Sequence, residues 1–192
     1  MQADTAPANT LHRYLVHGLY VVSPIELPDL ARADGGAEAV DVEISEGNVP
    51  DSLGDEANTG AHWQTDANRM LFEAPGIARF LISNGRTIRF QPCVDQARDD
   101  QAIRVYMLGT ALGVLLHQRG LFALHASGVV TPSGAWLFTG HSGAGKSTLV
   151  AWLHRRFGWP ILSDDVTVID AAEGSLHARA GIPRLRLWRD AL

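Results

Sequence analysis

The sequence predicts a mixed α/β fold in which a small, mostly β N-terminal region precedes a strand–loop–helix–strand unit. Three observations support this prediction. Residues 1–95 contain a β-branched and aromatic run, a segment with period-two alternation and a hairpin signal. Apolar residues at spacings of three and four then indicate a helix that ends near Arg119. A glycine-rich segment, residues 140–147, lies between a predicted strand and a second predicted helix.

The N-terminal half contains two strand signals and one hairpin signal. Residues 13–22 are rich in β-branched and aromatic side chains, which predicts one strand. Apolar and acidic residues alternate over 40–44, a pattern typical of a half-buried strand. Asn84-Gly85 predicts a hairpin turn, because both residues tolerate a positive φ. Residues 45–61 are polar and rich in breakers, so we assign them no element.

The second half shows a regular succession of elements. In order they are a helix from Asp99-Asp100 to Arg119, a hairpin of strands 121–130 and 135–140, a helix ending at Gly158, and the extended pieces WPIL and VTVI. No closing element is evident after these pieces. We therefore divide the chain into a mostly β region, 1–95, and a second region, 96–192.

Composition excludes several classes of protein. The chain has 21 acidic and 16 basic side chains, a net charge of −5, which argues against a nucleic acid or an anionic membrane as partner. Cys93 is the single cysteine, and no closely spaced histidine pair is present, so neither a disulfide nor a zinc site is expected. The N-terminus lacks a secretion signal and no apolar run is long enough to span a bilayer. We expect a soluble cytoplasmic protein and leave homo-oligomerisation open.

The segment G-H-S-G-A-G-K-S matches the phosphate-loop pattern G-x-x-x-x-G-K-[ST] in the strand-to-helix context that the pattern requires. Its glycines let backbone N–H groups turn inward around an anion, and the following helix adds its N-terminal donors. Lys146, the only lysine in the chain, would reach the β- and γ-phosphates of ATP, and Ser147 would bind Mg²⁺. The predicted phosphate-binding residues are Gly140, His141, Ser142, Gly143, Ala144, Gly145, Lys146, Ser147 and Thr148.

Two adjacent carboxylates follow the loop at the end of the next apolar stretch. Beside Mg²⁺ and a triphosphate, one of Asp164 and Asp165 could hold the metal and the other could accept the proton of an attacking hydroxyl. The alternative interpretation is a solvated turn before VTVI. Asp170 is a competing candidate for the metal. His125 has two interpretations as well, a hydrogen-bonded core histidine or a functional residue.

Segment 121–170 as a whole resembles the C-terminal catalytic domain of HPr kinase/phosphorylase and its relatives, which include stand-alone serine kinases encoded beside ribosomally made peptide clusters. The resemblance rests on a histidine-containing strand, a tight hairpin, the phosphate loop, a helix and an Asp-Asp pair in one order. It implies a mixed sheet of the type shared with phosphoenolpyruvate carboxykinase. It also implies roles for individual residues, with His125 near the transferred phosphate, Asp164 toward the metal and Asp165 as the base.

The resemblance has two departures. The chain ends at Leu192, before most of the downstream segments of bifunctional HPr kinases, which predicts a C-terminally incomplete catalytic domain and argues against phosphorylase activity. Residues 1–95 do not match the regulatory domain of those kinases and suit the peptide-cluster relatives better.

The hypothesis from the sequence is an ATP- and Mg²⁺-dependent kinase that phosphorylates a Ser or Thr hydroxyl on a small protein or peptide, with Asp165, His125 and Lys146 as catalytic residues. Two alternatives stay open: an ATP-binding regulatory or scaffold protein without transfer activity, and a kinase of a small metabolite.

Overall fold

Strands outnumber helices in the part of the chain that the structure describes, and they form one large sheet and two small ones. The structure is a computed structural model that describes residues 10–33, 39–94, 97, 101–164, 166–172 and 175–182. Within these residues the fold is mixed α/β with a predominance of β structure, in agreement with the predicted class.

The large sheet has nine strands, in the order β3-β1-β2-β4-β9-β8-β7-β6-β5. They are β1 (His12–Val16), β2 (Leu19–Ser23), β3 (Ala31–Arg32), β4 (Val42–Glu46), β5 (Asn58–Thr59), β6 (Trp63–Thr65), β7 (Arg69–Ala74), β8 (Ala78–Ser83) and β9 (Thr87–Pro92). The sheet is mixed, because β4 pairs in parallel with both β2 and β9 and the remaining pairs are antiparallel. The predicted strand at 40–44 is confirmed as β4, with Val42 and Ile44 buried.

The first two strands correct one prediction. Residues 13–22, predicted as a single strand, form a hairpin that turns at His17 (φ 52°) and Gly18 (φ 73°). Two consecutive left-handed residues are what a type I′ hairpin turn requires. The same geometry confirms the turn at Asn84 (φ 56°) and Gly85 (φ 61°). The prediction failed because His-Gly is a weaker turn signal than Asn-Gly and lies inside an uninterrupted run of strand-forming residues.

One long helical segment covers the large sheet. It consists of α1 (Gln101–Tyr106), a π-helical stretch (Met107–Ala111) and α2 (Leu112–Gln118). The predicted apolar stripe is confirmed, since Ile103, Met107, Leu112, Leu115 and Leu116 are buried in one core with Tyr14, Phe80 and Phe90. Gly120 (φ 71°) ends the segment, as predicted. The predicted caps Asp99 and Asp100 lie outside the described residues.

Two three-stranded sheets follow. The first has the order β10-β14-β15, formed by β10 (Phe122–Leu124), β14 (Thr167–Ala172) and β15 (Ser175–Arg179). The second has the order β12-β11-β13, formed by β11 (Ala126–Thr131), β12 (Gly134–Thr139) and β13 (Ile161–Asp164). Helix α3 (Lys146–Phe157) packs on this second sheet through Val129, Val150 and Leu153, and Gly158 ends the helix as predicted. The predicted strand 121–130 is divided at His125, because β10 and β11 belong to different sheets.

The β1–β2 turn connects the large sheet to the C-terminal part of the described chain. The His17 N–H donates to the Ala180 carbonyl at 3.0 Å, and the imidazole of His17 is buried. A Cβ at Gly181 would lie 2.7 Å from the Val166 carbonyl oxygen and 3.2 Å from His17, so only glycine fits there without a shift. No helix among the described residues is long and apolar enough to cross a membrane.

The buried imidazole makes stability depend on pH. Burial, and then the positive charge of Arg179, lower the pKa of His17 from 6.5 to about 4. Below pH 6.5 the imidazole of the unfolded chain binds a proton, whereas that of the folded chain does so only near pH 4. The contribution of His17 to the free energy of unfolding is therefore complete above pH 6.5 and is lost as the pH falls toward 4. We expect His17→Asn to remove about 3 kcal/mol of this pH dependence between pH 7 and pH 4, measured by urea unfolding. His62→Asn, at an exposed histidine, is the control and keeps the wild-type profile. Parallel profiles for wild type and His17→Asn would contradict the assignment.

Candidate functional site

The pairing of β11 gathers the predicted site at one edge of the second small sheet. β12 and β13 both run antiparallel to β11, so they are parallel to each other and their carboxyl ends meet at the same edge. The start of β11 lies at that edge as well, since Ser127 is opposite Phe138 on one side and Asp164 on the other. The glycine-rich loop after β12, the end of β13 and His125 before β11 therefore lie together.

The loop 140–145 connects β12 directly to α3 and is exposed. Gly143 (φ 81°) and Gly145 (φ 84°) adopt left-handed conformations that residues with a side chain rarely adopt. Gly145 is the N-cap residue of α3, and its carbonyl accepts from the Leu149 N–H at 2.8 Å. No side chain caps this end of α3, and its first turn contains no acidic residue. The amides at the start of α3 can therefore bind an anion.

Lys146 is folded back over the loop. Its Nζ donates to the carbonyl oxygen of Gly140 at 2.8 Å and to that of His141 at 3.1 Å. The ammonium thus sits beside the loop that would hold phosphate. Lys146 and Ser147 are half-buried, whereas Thr148 is exposed.

Asp164 is buried at the end of β13, with 5% of its surface exposed. The Ser127 hydroxyl donates a hydrogen bond of 2.9 Å to Asp164 Oδ1, across the β11–β13 pair. This contact excludes the interpretation of Asp164 as part of a solvated turn. Asp165, the predicted base, lies outside the described residues.

Further buried hydroxyls lie around the start of β11, and the sequence did not reveal them. Ser163 and Thr167 contact each other, and the Thr167 hydroxyl donates to the Ala126 carbonyl at 3.2 Å. Ser127, Ser163 and Thr167 are at most 1% exposed. One signal in the sequence was available, namely that serine and threonine residues lie close to His125 and to the Asp-Asp pair. These hydroxyl side chains are small enough to be buried inside a sheet with their hydrogen bonds satisfied.

The structure places the two remaining sequence candidates, His125 and Asp170, in different surroundings. His125 is exposed at the break between β10 and β11, so the core interpretation of this histidine is wrong. Asp170 lies on β14 opposite His177, and its carboxylate contacts the Arg179 guanidinium. Thr167, not Asp170, is the β14 residue that pairs beside His125, so the structure does not bring Asp170 to the loop.

Comparisons with protein-family models, with curated proteins and with solved structures return no match. Among the described residues, no group of three or more His, Cys, Asp or Glu side chains could hold a metal ion by itself. Mg²⁺ commonly needs only one or two protein ligands when substrate phosphates complete its coordination.

The Ser127–Asp164 hydrogen bond can be measured. Ser127→Ala would leave a buried carboxylate oxygen without this donor, at a cost of about 1–3 kcal/mol in the free energy of unfolding. A double-mutant cycle with Asp164→Ala should give a coupling energy of roughly 1 kcal/mol or more in urea unfolding. Ser175→Ala, at an exposed serine on β15, should change stability by less than about 0.5 kcal/mol. A coupling energy near zero would show that the contact does not form in solution.

Proposed function

We propose that the protein is an ATP-dependent kinase that transfers the γ-phosphoryl group to a Ser or Thr hydroxyl of a small protein or peptide. The observation that supports this proposal is the meeting, at one sheet edge, of an uncapped helix N-terminus after a glycine-rich loop, the only lysine of the chain and a buried carboxylate. Phosphoryl transfer depends mainly on positioning and charge neutralisation, and these groups supply both.

The nucleotide phosphates would bind at the loop and the first turn of α3. Backbone N–H groups there donate to phosphate oxygens, and the helix dipole favours their negative charge. Lys146 would exchange its two carbonyl acceptors, Gly140 and His141, for oxygens of the β- and γ-phosphates. A compact ammonium on a flexible stem suits this exchange better than a planar guanidinium, because it can reach between neighbouring oxygens.

The residues present also fit Mg²⁺. Ser147 offers a hydroxyl at the helix start and Asp164 a carboxylate at the neighbouring strand end, and hard oxygen ligands of this kind are what the ion prefers. Ser127 fixes one oxygen of the Asp164 carboxylate and so orients the group. When bound, Mg²⁺ would neutralise charge on the β- and γ-phosphates.

The transfer itself would use Asp165 and His125. The acceptor oxygen forms a bond to the γ-phosphorus while the bond to the β–γ bridging oxygen breaks and ADP leaves. Asp165 takes the proton of the attacking hydroxyl. His125, exposed at the same edge, would donate a hydrogen bond to the transferred group. The finer fold assignment, a mixed sheet of the HPr kinase and phosphoenolpyruvate carboxykinase type, is part of this proposal and is supported by the antiparallel β11–β12 lead-in to the loop.

Two variants separate nucleotide binding from transfer. Lys146→Ala should weaken binding of a fluorescent ATP analogue by roughly tenfold or more, because it removes a charge-assisted contact to phosphate. Asp165→Asn should retain that binding and lower phosphate transfer from radiolabelled ATP to Ser-containing peptides by about 10²-fold or more. Arg86→Ala, at an exposed cation of the large sheet, is the control and should leave both unchanged.

Other results of these binding and transfer measurements would favour one of the alternative functions or overturn the proposal. ATP binding that depends on Lys146 without transfer to any peptide would favour the regulatory alternative, and transfer to a hydroxylated metabolite would favour the metabolite kinase. Absence of ATP binding in the wild type would overturn the proposal.

A further inference from the structure

Four aromatic side chains form an exposed surface at the end of α3 that is remote from the loop. Trp136 is 48% exposed, Trp152 55% and Phe157 49%, while Trp159 is half-buried among them. Phe157 stacks on Trp159 with ring centroids 4.8 Å apart, and Trp136 meets Trp159 edge-on at 5.6 Å. We name these four residues the aromatic face. Isolated exposed apolar residues are common, whereas a contiguous exposed group of this kind marks an interaction site.

The aromatic face has a fixed shape. Trp152 contacts Phe157 edge-on at 5.8 Å, so the four rings form one connected chain of contacts. His154 Nδ1 is 2.8 Å from the Trp159 carbonyl oxygen, which links the last turn of α3 to the segment that leads into β13. Rings held this way lose little conformational freedom on binding, which favours affinity.

Positive charge borders the aromatic face. His154, Arg155 and Arg156 form the last turn of α3 and are exposed, and the Arg156 guanidinium lies 5.3 Å from the Phe157 ring centroid. Within the described residues, neither Arg155 nor Arg156 forms an ion pair. Tryptophan and arginine are the residues most enriched at the energetic centres of protein interfaces.

The charge of the surrounding sequence identifies the chemistry of the partner. Residues 101–163 contain five Arg or Lys residues and no Asp or Glu, whereas residues 1–100 contain sixteen acidic residues and seven arginines. No carboxylate within residues 101–163 therefore competes for Arg155 and Arg156. An acidic ligand complements this surface, and a basic one would be repelled.

The acidic N-terminal region decides between a peptide and a membrane. An anionic membrane is a broad surface that would bring its charge close to a region with an excess of nine acidic side chains, whereas a short acidic peptide contacts only the aromatic face and its two arginines, and salt screens its more distant repulsion. The aromatic rings are also packed against one another, whereas membrane anchors extend separate side chains into the lipid.

We propose that the aromatic face docks an acidic segment of a partner polypeptide, whose apolar side chains cover Trp136, Trp152 and Phe157 and whose carboxylates pair with Arg155 and Arg156. Along α3 this surface begins at Trp152, about 9 Å from the start of the helix, and reaches Phe157, about 17 Å from it, and it does not depend on nucleotide. It therefore holds whether or not the chain transfers phosphate.

The test uses the complete chain and a fluorescein-labelled peptide of alternating Glu and Leu that lacks Ser, Thr and Tyr. We expect saturable binding by fluorescence polarisation, weakened by salt and reduced by about tenfold or more in Trp152→Ala and in the double variant Arg155→Ala/Arg156→Ala. Trp63→Ala and Arg86→Ala, at exposed positions on the large sheet, are the matched controls and should bind like the wild type.

A charge-reversed pair tests the chemistry independently of any loss of packing. Arg155→Glu/Arg156→Glu should lose the Glu–Leu peptide and gain a Lys–Leu peptide, while the protein stays folded with a melting temperature lowered by only a few degrees, because both positions are exposed and the helix dipole disfavours the new carboxylates. Absence of saturable binding, equal binding of both peptides to the wild type, or no effect of these variants would overturn the proposal. It would also be overturned if Trp152→Ala abolished dimerisation or binding to anionic vesicles while leaving peptide binding unchanged.

Discussion

The arrangement of the candidate site depends on β11 being paired antiparallel on both sides. This pairing makes β12 and β13 parallel, and it obliges the chain to cross over between them through α3. After α3, β13 runs back to the edge at which the glycine-rich loop leaves β12, so a strand end and a helix N-terminus meet although β11 separates β12 from β13 in the sheet. Ligand sites in α/β sheets commonly lie at the carboxyl ends of strands for this reason.

The central position of β11 requires small residues where its neighbours approach. A Cβ at Gly128 would lie 2.6 Å from Leu137 Cδ2 and 3.1 Å from the Trp136 carbonyl oxygen, so a larger residue would displace the Leu137 side chain and crowd the backbone of β12. The buried hydroxyl of Ser127, next along the strand, donates to Asp164 on the other side. Packing on one side of β11 and a hydrogen bond on the other thus fix the relative positions of the loop and the carboxylate.

Elements with a local chemical signal could be predicted from the sequence. The glycine-rich loop, the Asn84-Gly85 turn and the apolar stripe of the first helix each carry their signal within a few residues. Propensity is continuous across both His17-Gly18 and His125, so neither break could be predicted. His-Gly is a weak turn signal for the local β1–β2 hairpin, and the division at His125 arises because β10 pairs with the distant strand β14. Ser127 was missed for the same reason, since its partner Asp164 is 37 residues away.

The two ends of α3 carry opposite partial charges, yet in this chain both ends attract anions. The N-terminus carries the positive end of the helix dipole, and no acidic side chain neutralises it. The C-terminus carries the negative end, which stabilises the charged side chains of Arg155 and Arg156. Because both arginine side chains are exposed, their charges are accessible to a ligand. One helix without acidic residues therefore supports an anion-binding loop at one end and a cationic surface at the other.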